Sequence, residues 1–479
     1  MSVGAENSSN RPNGDIAPFQ LLSKYRGLLV LIQIFLFVML AITTSGGSSV
    51  IDASNPMKNG FVGYSMFSGV EIMMFIGFGY LMTFMKYYGF SAVGFTMIVT
   101  ALGLQWAILT EAFFDQWRNL SMVPWNYIDV SIYTLMNALF ACSAVLITLG
   151  ALIGAITPLQ LIFITFIEIA CHSFNFKIIL TGLNVSDLGG TFIDHMFGAY
   201  FGLAVSYMLP KPKHEPEDDR NADLFSMIGT LFLWVYWPSF VAGAAPPNSA
   251  IQQTAIVNTV LSLSASTIAT FIASSFFEAT GRIRPVDIQN ATLAGGVAIG
   301  CVSGMTIQPA GAIAVGFVAG IVSTYGFNKL KIPSINDTCG INNLHGMPSL
   351  IGGLSSALVC AANRNKDAAI YGDTASSQWF RQILGVICTL SYAIVMGLTV
   401  GYIANKLDPK NEKIDEFTDV IYWKAGGDYP APRKPVSEIE MHSTEAAAAK
   451  EDVVEVMNNP MNAGKVEAPT ISTSKYGSV

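Results

Sequence analysis

The sequence predicts an all-α polytopic membrane protein: twelve transmembrane helices containing a five-plus-five inverted repeat. Three observations predict it. The chain of 479 residues is 52% hydrophobic and only 12% charged, whereas soluble domains carry about 25% charged residues; the mean hydropathy of +0.47 agrees. Apolar stretches recur at about the 20-residue length that a spanning helix requires. Finally, one pattern occurs twice. Asp187, Gly190 and His195 lie in DLGGTFIDHMFGAYFG, and Asp337, Gly340 and His345 repeat the same spacing in DTCGINNLHGMPSLIGG.

Taken in order, residues 1–26 are polar and lack a signal-peptide pattern, so the first apolar span is expected to stay as an anchor. The twelve expected spans are 27–45, 61–86, 89–114, 131–156, 159–180, 188–209, 222–244, 251–277, 288–306, 309–327, 343–362 and 379–405. Several are rich in glycine and serine, notably 291–304 and 310–320, which lets helix backbones approach closely inside a bundle. Met305 to Gln308 separates the ninth and tenth only weakly. The six cysteines show no paired spacing and read as reduced packing residues.

Twelve spans put both ends on one side. The even-numbered loops and termini hold most of the basic residues, Lys211, Lys213, Arg282, Arg284 and Lys406 among them, so both termini are expected in the cytoplasm. Sequons at Asn119 and Asn184 then fall outside, where glycosylation occurs; those at Asn290 and Asn336 are expected to be silent. The transmembrane domain is expected over 27–405 and a polar cytoplasmic tail over 406–479. Within the tail, 413–423 has apolar residues at helix-like spacing, and Ser437 to Glu440 resembles a capping box. Beyond about residue 425, disorder is expected.

His195 lies in the sixth span and His345 in the eleventh. Five span steps separate them, an odd number, so spans 2–6 and 7–11 run in opposite directions. That is the pattern of an inverted repeat whose shared site lies near the bilayer midplane. Each histidine sits about 12 Å along its helix from its aspartate, roughly mid-depth in a core about 30 Å thick. Each aspartate falls at a helix N-terminus, where capping is the simplest role. His172, in the fifth span, has no counterpart and reads as a hydrogen-bonded core residue. Glu71, Glu111 and Glu168 form no recognisable motif and read as polar satisfaction between helices. For His195 and His345 the symmetric placement favours function, because ionisable groups in a membrane are functional candidates by default. Two neutral imidazoles in an apolar lumen can exchange hydrogen bonds with a small polar molecule without trapping it by charge.

At these residues the chain resembles the Rh glycoproteins of the Amt/Mep/Rh ammonium transporter superfamily, from about Gly27 to Trp423. The resemblance rests on YGFSAVGF (88–95), HMFGAYFGL (195–203), GTLFLWVYWPSF (229–240), IQNATLAGGVAIG (288–300) and DTCGINNLHGMP (337–348). It implies a homotrimer in the plasma membrane with a narrow hydrophobic pore in each protomer. His195 and His345 match the family's pore histidines, and Phe140 and Phe240 its phenylalanine gate. Asp187 matches an aspartate of ammonium handling, with Asp337 its counterpart. Asn342 and Asn343 flank the second histidine, lining the pore or closing the turn. The implied activity is passage of NH3 after NH4+ gives up a proton; cotransport of NH3 with a proton, and permeation of CO2, are also compatible. Two positions depart from many Rh proteins. Asp194 stands where an aliphatic residue is common and is a pore-adjacent candidate: it either reaches the pore and favours a protonated His195, or faces a neighbouring helix and pairs with a polar group; Leu139 stands where some members carry an acid.

Rival readings come from other classes. A non-transporting membrane scaffold would use the tail around Phe417, Asp419, Tyr422 and Trp423 to dock a cytoskeletal or regulatory partner. An enzyme is not expected, since no HExxH motif, GxSxG elbow or cysteine cluster occurs. No metal, cofactor or nucleic-acid partner is expected either. The external loops are too short for a receptor's ligand domain.

Overall fold

The computed structural model describes residues 16–46, 61–118, 128–330, 332–362, 376–407 and 416–424. All belong to one compact unit ending at Gly427. Asn119, the Ser437–Glu440 box and most of the 406–479 tail lie outside the described residues.

The described helices are α1 (Ile16–Thr43), α2 (Phe61–Ile72), α3 (Gly89–Arg118), α4 (Ile132–Leu152), α5 (Pro158–Phe176), α6 (Phe197–Met208), α7 (Arg220–Gly243), α8 (Ala250–Phe277), α9 (Pro285–Ala291), α10 (Ala294–Ile299), α11 (Pro309–Lys329), α12 (Met347–Ala362) and α13 (Gln378–Leu407). After α2 the chain continues through a π turn, Met73–Gly77, and a further helical turn, Phe78–Leu81. Local chemistry sets several starts. Ser131 with Thr134 and Thr157 with Gln160 form capping boxes at α4 and α5, and Asp219 and Ser249 cap α7 and α8. A short parallel pair, Thr44–Gly46 with Ile128–Val130, ties the end of α1 to the approach to α4.

Ten helices among the described residues are long and apolar enough to cross a membrane, not twelve. The ninth expected span is broken into α9 and α10, followed by turns as far as Gln308. Glycines at 295, 296, 300 and 304 explain the break, because glycine disfavours helix by about 1 kcal/mol per residue. Irregular backbone at membrane depth needs partners. The first half of the chain supplies them. Thr191 Oγ1 donates to Val297 O and accepts from Cys301 N, both at 2.8 Å, and Gly189 N donates to Gly300 O at 3.1 Å. The sixth expected span is a π turn, Thr191–Met196, leading into α6.

The bundle has two ends. Asp115 and Lys177 form an ion pair at one, the Lys177 face. The other, the Asp337 face, carries the end of α4, where Cys339 N donates to Gly150 O at 2.9 Å. Small residues bring backbones together: a Cβ on Gly397 would lie in contact with Phe201 O, and one on Gly316 with Ser262 O. Apolar side chains such as Leu31, Phe37, Phe276 and Leu358 stay exposed around the outside, as a lipid-facing surface requires.

The segment 416–424 forms turns, not the helix that its spacing suggested. Asp419 explains why. Its carboxylate accepts from Ser91 N (2.7 Å) and Phe90 N (2.9 Å), capping α3 from a distant part of the chain. Burial pushes its carboxyl above the ordinary value, and these bonds pull it back. Trp423 Nε1 donates to Ser91 Oγ at 2.9 Å, Tyr422 meets Phe95 edge-on, and Phe417 packs on Gly154. These four side chains therefore engage the bundle itself.

Candidate functional site

Both Asp–Gly–His copies fold alike. Asp187 Oδ2 accepts from the N–H groups of Phe192 (2.8 Å) and Ile193 (2.9 Å). Asp337 Oδ1 accepts from Ile341 N (2.7 Å), and its Oδ2 from Asn342 N (3.0 Å). Gly190 and Gly340 hold φ of 68° and 74°, the left-handed region that glycine enters without a steric penalty. Each copy then passes through a π turn, Thr191–Met196 or Asn342–Gly346, that ends at or just past its histidine. Such turns often mark functional sites.

The two helices enter from opposite ends. Gln382, near the start of α13, accepts from Ser186 N and donates to Ser356 Oγ, late in α12; Ser206, late in α6, donates to Asn336 O beside Asp337. The start of one helix is therefore level with the end of the other. This antiparallel crossing brings the histidines together. Nδ1 of His195 and Nδ1 of His345 lie 3.2 Å apart, with ring centroids at 5.2 Å and planes at 16°. A neutral imidazole has one N–H and one lone pair. Sharing a hydrogen bond through both Nδ1 atoms makes one ring the donor, so the outer Nε2 atoms present one lone pair and one N–H. His195 Nε2 is buried with no protein partner.

Aromatic rings enclose the pair. Trp237 stacks on His195 at 5.6 Å and 20°, and Phe78 on His345 at 6.4 Å and 19°. Toward the Lys177 face, Phe240 lies 5.5 Å from His195, and Phe140 meets Phe240 edge-on at 4.9 Å. Both phenylalanines are buried. Gly296 makes room for Trp237, since a Cβ there would come within 2.5 Å of the indole. Beyond His345, a cavity of about 330 Å³ opens toward the Asp337 face, lined by Lys211, His214, Asp337, Asn342 and Asn343 among others. Asn343 Oδ1 is buried there with no protein partner.

Asp194 points away from the pair and bonds His172, with Oδ1 and Nε2 2.8 Å apart. Asn184 is exposed and adopts φ of 51°. The sequence did not reveal the π turns, Trp237 and Phe78 as ring partners, or the His172–Asp194 pair. The only advance signal was the unusual acid at Asp194.

A bundle with two crossing half-helices and a buried aromatic sleeve around facing imidazoles defines a polytopic membrane transport protein. The model of the Ammonium Transporter Family matches residues 28–416, and the chain belongs to that family. The ammonium transporter Rh type C of Homo sapiens is 41% identical over 392 residues, covering 75% of this chain and 79% of its own. The Rh type B transporter of Rattus norvegicus is 39% identical over 420 residues, covering 82% and 90%. Among solved structures, Nitrosomonas europaea Rh50 superposes with a TM-score of 0.66 at 30% identity, covering 81% of this chain and 97% of its own. Saccharomyces cerevisiae Mep2, at 18% identity and a TM-score of 0.58, shares the fold. The chain is thus a multi-pass membrane protein of a transporter family, not an enzyme.

Proposed function

We propose that the chain conducts ammonia: NH4+ gives up a proton near the Phe140–Phe240 gate and NH3 crosses past His195 and His345. The observation that carries this reading is the buried imidazole pair, 3.2 Å apart, inside an aromatic sleeve. A bare cation in such surroundings costs at least a few kcal/mol. Ammonia both donates and accepts hydrogen bonds, matching the N–H and lone pair on the outer Nε2 atoms. Asp187 and Asp337 hold the two histidine helices in register by capping them, and Asn342 and Asn343 line the exit. An apolar path of this kind also suits another small neutral gas such as CO2. We further propose a homotrimer in the plasma membrane with both termini in the cytoplasm, resting on the family and on the distribution of Lys and Arg. Asn184 is then an external glycosylation site, and Asn119 a second.

The test is flux into proteoliposomes carrying an internal pH dye. An ammonium gradient should alkalinise vesicles containing the wild type faster than empty ones, and His195→Ala or His345→Ala should alter that rate. Folded wild type with no flux above empty vesicles contradicts the reading and favours a scaffold.

A further inference from the structure

A cavity of about 570 Å³ lies between α1, α3 and α5. Its walls include Phe35 and Met39 on α1, Trp106 and Phe113 on α3, and Ala170 on α5. Protein interiors hold few voids larger than a water molecule, so a gap of this size needs a cause and an occupant. The cause is that α1, the least buried candidate span among the described residues, is pinned at two levels. Midway along, Gln33 Nε2 donates to Gln105 Oε1 at 2.8 Å and Gln105 Nε2 to Gln33 Oε1 at 3.3 Å. Just above them Leu36 packs in one cluster with Leu102, Leu109 and Ile162. At the Lys177 face, the strand pair Thr44–Gly46 with Ile128–Val130 holds the end of the helix. Between these ties α1 cannot close onto α3. The opposite wall is fixed too: Trp106 Nε1 donates to Phe166 O at 2.8 Å, with the Phe35 ring 6.1 Å away across the gap.

The walls belong to helices long and apolar enough to cross a membrane, and Phe35 and Phe113 are exposed at the rim, so the cavity opens to lipid. From Trp106 to Phe113 it covers about 10 Å of helix, most of one leaflet of a core about 30 Å thick. Thr43 and Phe114 mark its end at the Lys177 face, Phe114 lying next to Asp115 of the surface ion pair. Among the described residues that line it none is charged, and its two hydroxyls belong to Thr43 and Thr110. Thr110 Oγ1 is shared with Ser173 Oγ at 2.9 Å. Thr43 Oγ1 donates to Met39 O at 2.7 Å, which leaves its oxygen able to accept. A charged headgroup finds no counterion here, and a flexible acyl chain loses conformational freedom between fixed rings, whereas a rigid molecule loses little. We propose that the cavity is a sterol site: the fused rings lie between α1 and the Trp106–Phe113 face of α3, and the sterol O–H donates to Thr43 Oγ1. None of the pore's side chains lines it, so the site stands whatever the pore conducts. By filling the gap the sterol joins α1 to the bundle and stabilises the folded protein, as a ligand that binds only the folded state must.

The test uses the full chain in phospholipid nanodiscs with a photoactivatable sterol. Cross-linked peptides should map to 35–43 and 106–114, and unlabelled cholesterol should compete. Two variants fill the gap from opposite walls, Ala170→Trp and Met39→Trp. Either should lower labelling there about tenfold, the usual cost of overpacking expressed as a binding ratio. Thr43→Val, which keeps the shape and loses the acceptor, should lower it about fivefold, the worth of one hydrogen bond. Cholesterol should raise the unfolding temperature of wild type and leave that of the filled variants unmoved. Size-exclusion profiles verify folding; if Ala170→Trp does not fold, Met39→Trp, on the lipid-exposed helix, decides alone. Labelling spread evenly over exposed side chains such as Phe276 and Leu358, or labelling that survives the filled cavity, overturns the site. A photoactivatable acyl-chain phospholipid that labels the same peptides and is not displaced by cholesterol overturns it too, because an acyl chain is then the occupant.

Discussion

The two Asp–Gly–His copies share a scaffold and differ beside the histidine. Each has an aspartate accepting two backbone N–H bonds, a left-handed glycine and a π turn. Before His195 stands Asp194, paired with His172; before His345 stands Leu344, buried in the apolar core. The caps also differ, since Asp187 is buried whereas Asp337 lines the cavity on its face. What is repeated serves to place two imidazoles, and what is not repeated gives the two ends of the path different chemistry. One end carries the buried Asp194–His172 pair; the other opens into a cavity lined by polar side chains.

Making the first copy resemble the second should have the largest effect. Asp194→Leu leaves His172 buried and unpaired, a loss of about 3 kcal/mol, visible as a lower unfolding temperature in detergent. The double variant Asp194→Leu/His172→Leu should recover most of it, because replacing both partners removes the orphaned group. Failure to recover would mean that the pair is not what stabilises this region. Next comes the glycine comparison. Gly190→Ala meets both an unfavourable φ and the Asp194 carboxylate, for about 2 kcal/mol. Gly340→Ala meets the same unfavourable φ but the edge of the Phe327 ring at 2.8 Å and Asn343 Nδ2 at 3.3 Å in place of a carboxylate, and should cost about 1 kcal/mol. Equal losses would erase that distinction. Removing the tail cap with Asp419→Ala should cost about 1 kcal/mol, the smallest change, read as earlier unfolding or faster proteolysis near residue 419.

Much of this architecture is legible without coordinates. The two Asp–Gly–His motifs announce themselves because the physical demands, a cap, a left-handed turn and a histidine at mid-depth, each select few residue types. Phe140 and Phe240 are legible only through family resemblance, since nothing local sets one buried phenylalanine apart from the rest. The break in the ninth expected span is not legible because hydropathy measures transfer to lipid, not helix formation, and its glycines pass one test and fail the other. His172 is the hydrogen-bonded core residue that the sequence suggested, but what it bonds is not legible. Its partner, Asp194, comes from another helix, and no periodicity along α5 shows what faces it. The 416–424 segment goes wrong similarly: its helix-like spacing is overridden by bonds to Phe90 and Ser91, more than 300 residues away in sequence.

The most direct test of the central claim, that a neutral molecule passes the histidine pair, is charge movement. Proteoliposomes containing the wild type would be given an ammonium jump while a voltage-sensitive dye and an internal pH dye are read together. The account predicts alkalinisation with no voltage signal beyond that of empty vesicles. A voltage signal that grows in step with the alkalinisation would contradict it, because a proton or an ammonium ion would then be crossing the membrane with the substrate.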